Sequence, residues 1–356
     1  MKKIIKYLFL AVMLVAFMTA CSTIKDTDDD STKTITDMAG VKVEIPTSPQ
    51  KVVCISPTYT EYMIAFDMGN TLVGTHKNSL NKVWLNRIYP DIDKLKAYSY
   101  SATAEDVLAT GADLVIVTQN EVAETLRAAG IPAVTMTLDN SEDPYYHIRL
   151  FGEILGGETP DKINAWIAET EAVKTEINRV LDENNIQTGP SVYMINGQSN
   201  KGLFYAQAGG GSAMEGFLNS IRATLALKDF DGGSGIMPTE EEILRTNPEV
   251  VTIGGAFGVP MREEMLSDPV WKDIEAVKNG RVYIIPIGGI GWDQDYLTMP
   301  VMLKYFANIF YPELFNYDLT ESVISYYQKY YDVTLTETEV AYMLNDLTPG
   351  GENAWE

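Results

Sequence analysis

Short apolar runs alternate along the chain with segments in which apolar side chains recur every three or four residues. The runs contain few polar positions, which is typical of strands buried on both faces of a parallel sheet, and the segments between them have the period of amphipathic helices. This alternation predicts an α/β fold with helices on both faces of mainly parallel sheets. A hairpin is predicted at 34–45, and the strands at 51–55, 72–75, 113–117, 131–136, 191–195, 250–253 and 281–286.

A long amphipathic segment, residues 159–184, divides this pattern into two halves. Thr159 is a favourable capping residue, Pro160 suits the first helical turn, and Asp161 places negative charge where the helix dipole favours it. An apolar stripe continues from there to Val180, which predicts one helix. A surface helix of a single domain is the alternative, but the two halves repeat one pattern. We therefore predict two doubly wound, Rossmann-like lobes joined by one long α-helix.

The amino terminus has the features of a targeting segment. Lys2, Lys3 and Lys6 precede an apolar run that is too short to cross a bilayer comfortably. The run ends in Met-Thr-Ala-Cys, which resembles a bacterial lipobox, so Cys21 is the predicted lipidation site. The alternative is an ordinary secretory leader with a coincidental cysteine.

These features predict six segments in chain order. They are a lipoprotein signal peptide (1–20), an acidic disordered tether (21–33), an amino-terminal α/β lobe (34–143), a linker containing the long helix (144–188), a carboxy-terminal α/β lobe (189–313) and a helical extension (314–356).

Charge and composition limit the possible functions. The formal net charge of −22 repels nucleic acid and anionic lipid, so neither is an expected partner and contact with the membrane is expected through the lipid anchor alone. The two histidines, His76 and His147, are far apart in sequence, so no metal site built of imidazoles is expected. No nucleophile motif or cofactor-binding loop is present. The sequence therefore predicts neither an enzyme nor a resident cofactor.

Ligands of open α/β sheets bind at the carboxyl ends of the strands. In the first half those ends are 56–59, 76–78 and 118–120, and loops beside such ends carry many aromatic residues. Trp292 is the strongest individual candidate, because Gly288, Gly289 and Gly291 free the backbone around it. The predicted aromatic walls of a binding cleft are Tyr59, Tyr98, Tyr100, Tyr205, Phe257, Trp292 and Tyr296.

Several stretches give the chain a resemblance to a known family. They are Thr-Asp-Met-Ala-Gly at 36–40, Ser-Pro-Thr-Tyr-Thr-Glu at 56–61, Ala-Glu-Asp-Val-Leu at 104–108, Gly-Ile-Pro at 130–132 and Asn-Gly-Arg-Val-Tyr at 279–283. In this order and spacing the chain resembles the substrate-binding lipoproteins of bacterial ABC importers for iron chelates, haem and cobalamin. The second lobe departs from the family by lacking a Gly-Gly-x-Asn sequence after its first helix, and residues 315–356 extend beyond the common core.

The resemblance implies a monomeric, extracytoplasmic, lipid-anchored protein that captures a small-molecule metal chelate between its lobes. It also implies delivery to an ABC transporter permease dimer with its ATPase subunits. In that family an exposed carboxylate on each lobe docks on the permease, and Glu61 and Glu215 match those two positions.

The identity of the ligand stays open at this stage. A ferric siderophore, haem or a corrinoid would each suit an aromatic cleft, and a strongly anionic chelate would also need cations. The nearest candidate cations are Lys77, Arg87, Lys201 and Arg262. A cell-surface enzyme or an adhesin on the same two-lobed scaffold is the alternative function.

Overall fold

The computed structural model describes residues 31–137, 143–198, 204–209, 213–232, 234–254, 258–294 and 296–354. The described chain begins with a hairpin in which β1 (Thr32–Thr36) pairs antiparallel with β2 (Lys42–Pro46). Gly40 has a φ of 77° at the turn, a conformation that glycine adopts without steric strain. β1 starts within the stretch that the sequence assigns to the tether.

The first lobe is built on a five-stranded parallel sheet. Its strands are β3 (Val52–Ile55), β4 (Leu72–His76), β5 (Lys96–Tyr98), β6 (Leu114–Val117) and β7 (Ala133–Thr135), in the order β5-β4-β3-β6-β7. β3 lies in the middle and β3 and β6 are buried along their whole length, as the apolar runs predict. The helices of this lobe are α1 (Pro57–Ala65), α2 (Lys77–Leu80), α3 (Val83–Ile88), α4 (Ala104–Leu108) and α5 (Asn120–Ala128).

Two helices connect the lobes, α6 (Tyr146–Leu155) and the long α7 (Thr159–Glu183). The bounds predicted for α7 are confirmed to within one residue at its end. Its buried stripe includes Ile163, Trp166, Val173 and Ile177, spaced at three to seven residues along one face. The indole Nε1 of Trp166 donates a hydrogen bond to the carbonyl of Leu297 in the second lobe at 2.8 Å, which ties the linker to that lobe.

The second lobe has a six-stranded mixed sheet. β8 (Ser191–Gln198) pairs parallel with β10 (Thr224–Leu225) and β12 (Val250–Ile253), which pairs parallel with β13 (Val282–Ile284). β9 (Phe204–Gln207) and β11 (Ser234–Ile236) are antiparallel additions at one edge. The helices are α8 (Ala213–Ser220), α9 (Glu240–Thr246), α10 (Gly258–Ser267), α11 (Glu275–Lys278) and α12 (Met299–Phe310). Two doubly wound lobes joined by one long helix, the predicted fold class, are thus confirmed.

The carboxy-terminal extension consists of α13 (Leu319–Tyr331) and α14 (Glu337–Leu344), and it packs back on the first lobe. Trp84 Nε1 donates a hydrogen bond to the carbonyl of Leu347 at 2.8 Å, and Arg87 Nε forms a 2.7 Å ion pair with Glu339. The hydroxyl of Tyr331 donates a hydrogen bond to Glu61 Oε1 on α1 at 2.9 Å. Side chains of both lobes, the linker and the extension share one hydrophobic core.

Two neighbouring tyrosines of α13 provide a test of how much this packing stabilises the protein. Tyr331→Phe removes the hydroxyl that donates to the fully buried Glu61, and we expect it to lower the free energy of unfolding by about 1–3 kcal/mol. Tyr330→Phe removes a 2.7 Å hydrogen bond to the half-buried Glu169, where water can replace the hydroxyl, so we expect a smaller loss. Urea unfolding of both variants measures the difference; equal losses would contradict a buried role for the Glu61 contact.

Candidate functional site

A cavity of about 350 Å³ lies where the strands of the first lobe end. The turn 56–59 follows β3, Asn78 follows β4 and Thr118 follows β6, so parallel strands bring these residues to one sheet edge. Ile290 and Gln294, from the loop after β13 in the second lobe, complete the wall. The described lining residues are Ser56, Pro57, Thr58, Tyr59, Asn78, Lys82, Tyr100, Thr118, Ile290 and Gln294.

A stacked pair of rings lies beside the cavity. The His76 and Tyr100 rings are 4.0 Å apart at an angle of 26°. The imidazole is 1% exposed, and its Nδ1 accepts a hydrogen bond from Asn78 N at 3.2 Å. Burial and the nearby Lys77 ammonium hold the pKa of His76 below its usual range, so the ring is neutral near pH 7 and carries its proton on Nε2.

Two of the seven predicted wall residues, Tyr59 and Tyr100, line this cavity. Tyr59 is buried, and its hydroxyl donates to the carbonyl of Thr137 at 2.8 Å. Tyr100 is 40% exposed, so its ring is available to a ligand. Tyr98 lies instead in a core cluster of the first lobe, where its hydroxyl donates to the carbonyl of Asp106.

The described members of the remaining predicted wall residues do not border the cavity. The expectation that Trp292 is an accessible ring is wrong: it is 0% exposed and packs edge-on against Tyr305 of α12 at 6.3 Å. Tyr296 is half-buried near His147, and Tyr205 is half-buried on β9. Phe257 lies outside the described residues, and contact between any of these side chains and a ligand stays a prediction.

The two predicted docking carboxylates differ in their surroundings. The expectation that Glu61 is exposed is wrong, because α13 covers it and its carboxylate accepts a hydrogen bond from Tyr331. The backbone of Gly289 also lies against this carboxylate, with no room for a Cβ atom. Glu215 is half-buried in the first turn of α8, and its docking role stays a prediction. Cys21 lies outside the described residues.

Among the described residues, the cation that borders the cavity is Lys82, which sequence reasoning missed. Lys82 precedes the short helix α3, and no apolar periodicity in the sequence marks that helix. Of the cations named in advance, Arg87 pairs with Glu339 and Arg262 Nε donates to the carbonyl of Val282 at 2.9 Å. Lys77 is exposed beside the cavity, and Lys201 lies outside the described residues.

The described residues contain no group of three or more histidine, cysteine or acidic side chains that could hold a metal ion. Cys54 is fully buried in β3, and burial raises the pKa of its thiol to about 12, which makes it an unreactive core residue. Within the same residues, every helix is too short or too polar to cross a bilayer.

Asp346, a buried acidic residue of the extension, lies near the loop after β13 that completes the cavity wall. Asp346 is 0% exposed, and the N–H groups of Gly258 and Val259 at the start of α10 donate to it, the first to Oδ2 at 3.1 Å. Burial raises the pKa of Asp346 to about 7, and the neighbouring Asp293 carboxylate adds to this rise. Asp293 immediately precedes Gln294 of the cavity wall, so the extension reaches the loop that lines the site.

Two α/β lobes with a rigid helical linker and a cavity at their strand ends define an extracytoplasmic solute-binding protein of the class that serves ABC transporters. The family model for periplasmic binding proteins matches residues 52–287, and the chain belongs to that family. The extension lies beyond the matched residues.

Individual relatives agree with this assignment. The uncharacterised ABC transporter substrate-binding lipoprotein YvrC of Bacillus subtilis is 27% identical over 77% of this chain and 87% of its own length. The iron(3+)-hydroxamate-binding protein FhuD of the same organism is 26% identical over 83% of this chain and 93% of its own length. Molybdate-bound MolA of a Haemophilus influenzae ABC transporter has the same fold, with a TM-score of 0.72 at 20% identity, covering 85% of this chain and 99% of MolA.

The raised pKa of Asp346 predicts a specific dependence of stability on pH. The native state holds this proton up to about pH 7, whereas an unfolded aspartate releases it near its usual value of 3.8. The contribution of Asp346 to the free energy of unfolding therefore falls as the pH rises from 4 to 7. Asp346→Asn keeps a carbonyl acceptor for Gly258 and removes the charge.

We accordingly expect the stability of Asp346→Asn, relative to the parent, to increase between pH 4 and pH 7. Urea unfolding of both proteins across that range measures the difference. A difference that is constant with pH would show that Asp346 titrates alike in the folded and unfolded chains.

Proposed function

We propose that this protein binds a metal chelate of the ferric siderophore type in the cavity between its lobes and delivers it to an ABC transporter permease dimer with its ATPase subunits. The observation that carries the proposal is the cavity itself, which residues of both lobes line at the carboxyl ends of parallel strands. The relationship to an iron(3+)-hydroxamate-binding protein supports the choice of a ferric chelate.

The size and chemistry of the cavity favour a compact ligand with polar groups. Its volume of about 350 Å³ is at the low end of small-molecule sites, which favours a small chelate over haem or a corrinoid. The described lining contains hydroxyl and amide groups but no histidine, cysteine or methionine, so a tyrosine is the axial ligand that these residues offer to a haem. A siderophore instead brings its own ligands to the iron.

The location and the partner belong to the same proposal. A lipid on Cys21 would hold the mature protein at the membrane surface, and the relative YvrC is itself described as a lipoprotein. Glu215 at the start of α8 is the proposed docking carboxylate of the second lobe. We propose that the protein acts as a monomer, because one chain supplies both walls of the cavity.

Titration with a panel of candidate ligands tests the proposal. We expect saturable one-to-one binding of at least one ferric siderophore or ferric citrate, followed by calorimetry or tyrosine fluorescence, and weaker binding of haemin and cyanocobalamin. Tyr100→Ala should weaken binding about thirtyfold, the usual loss when an aromatic ring is removed from a desolvated contact.

Tyr146→Ala is the matched control, since Tyr146 is 42% exposed, similar to Tyr100, but lies on α6 away from the cavity lining. It should bind like the parent. Failure of every ferric chelate to bind, or equal losses in the two variants, would contradict the proposed function.

A further inference from the structure

The described residues of the cavity wall have a charge opposite to that of the protein as a whole. The chain carries 49 acidic against 27 basic side chains, yet the ten lining residues include one lysine, Lys82, and no carboxylate. A positive group in the wall of a partly enclosed site attracts an anion more strongly than the same group on an open surface, because less water screens it.

Lys82 has no counterion among the residues that the structure describes. Its side chain is half-buried, and no carboxylate of the described chain lies within ion-pair distance of its ammonium group. Other lysines do form such pairs: Lys94, Lys96, Lys162, Lys174, Lys278 and Lys329. A half-buried ammonium group without a partner loses part of its hydration and gains no ion pair in return. A bound anion would supply that ion pair.

Two helices that begin at the cavity wall, α1 and α3, have no acidic residue in their first turns. Lys82 is the residue before α3, where a positive charge opposes the helix dipole. Four other helices, α2, α6, α10 and α12, also lack an acidic residue in the first turn, whereas α4, α5, α7, α8, α9, α11, α13 and α14 carry an acidic residue there. The positive potential at this wall is therefore not neutralised by the helices that form it.

The first turn of α1 supplies a backbone donor at the same wall. Pro57 has no N–H, and the N–H groups of Tyr59 and Thr60 donate to Ser56 Oγ at 3.4 Å and to Ser56 O at 2.9 Å. The N–H of Thr58, a lining residue, has no hydrogen-bond partner within the described parts of the chain. The buried Nε2 of His76, whose ring stacks on the lining residue Tyr100, also lacks a partner among those residues.

We infer that the ligand of this site carries anionic oxygen atoms, which bind Lys82 and the N–H of Thr58. This inference rests on the proposed function and narrows it, because it selects anionic chelates and excludes neutral or cationic ones. Two sources provide the same chemistry, a ferric chelate with free carboxylate or catecholate oxygens and a free oxyanion. Lys82 is then a residue that determines specificity, with Tyr100 as the neighbouring aromatic wall.

Three probes of different charge distinguish the possibilities: ferric citrate as an anionic chelate, molybdate as a free oxyanion, and ferrioxamine B as a cationic hydroxamate chelate. Each is titrated by calorimetry against the full mature chain, Lys82→Gln, Lys82→Arg and Lys51→Gln. Lys51 is the matched control, because it is an exposed lysine before β3 that does not line the cavity. Thermal melting of each variant confirms that it is folded.

We expect the parent to bind at least one anionic probe more tightly than ferrioxamine B. Lys82→Gln should weaken that binding at least about thirtyfold, as loss of one partner of a desolvated charge pair does. Lys82→Arg should retain most of the affinity, and Lys51→Gln should bind like the parent. The affinity of the parent for the anionic probe should also fall as KCl is raised, a readout that needs no variant.

The outcomes separate this inference from the proposed function. If ferrioxamine B binds most tightly and Lys82→Gln binds it like the parent, the chelate-binding function stands and the inference is overturned. If molybdate alone binds and depends on Lys82, the inference stands and the chelate-binding function falls. Lack of binding of both anionic probes, or affinity for them that is independent of salt and of Lys82, overturns the inference.

Discussion

The continuous hydrophobic core that joins both lobes, the linker and the extension is the constraint on which the rest of the structure depends. α7 contributes a buried stripe to it over most of its length, and Trp166 connects that stripe to the second lobe through the carbonyl of Leu297. Because close-packed cores resist continuous deformation, the two lobes keep a defined separation. The loop after β13 can therefore complete a cavity that begins at the strand ends of the first lobe.

The extension adds a second connection between the lobes. In making it, the extension buries two acidic side chains, which is energetically unfavourable for their charged forms. It covers Glu61 with Tyr331 and places Asp346 at the start of α10. Hydrogen-bond donors contact each of these carboxyl groups, and the burial of Asp346 agrees with its raised pKa. This packing also explains why a face of α1 that the family resemblance presents as a docking surface is buried in this chain.

Local patterns in the sequence predict most of the fold, because the signals for α7 and for the central strands are periodic and long. β5 is missed since Lys96–Tyr98 is a three-residue edge strand without a continuous apolar run. The burial of Glu61 could not be predicted, because its partner Tyr331 is 270 residues away and carries no local mark of the contact.

The candidate site is predicted less completely. The rule that ligands bind at strand ends locates Ser56–Tyr59, Asn78 and Thr118 correctly around a cavity. The glycines around Trp292 indicate an open loop, but α12, which follows in the chain, buries the ring against Tyr305. Lys82 was not found from the sequence, because no motif marks it and its position at the cavity is set by the folded chain.

Anomalous diffraction at the iron edge from crystals grown with a bound ferric chelate tests the central claim most directly, because it locates the metal without reference to affinity. The predicted result is a single strong iron peak in the cavity bordered by Thr58, Tyr100 and Gln294, with ligand oxygen density at Lys82. An iron peak confined to the outer surface of either lobe, with the cavity filled only by water, would contradict it.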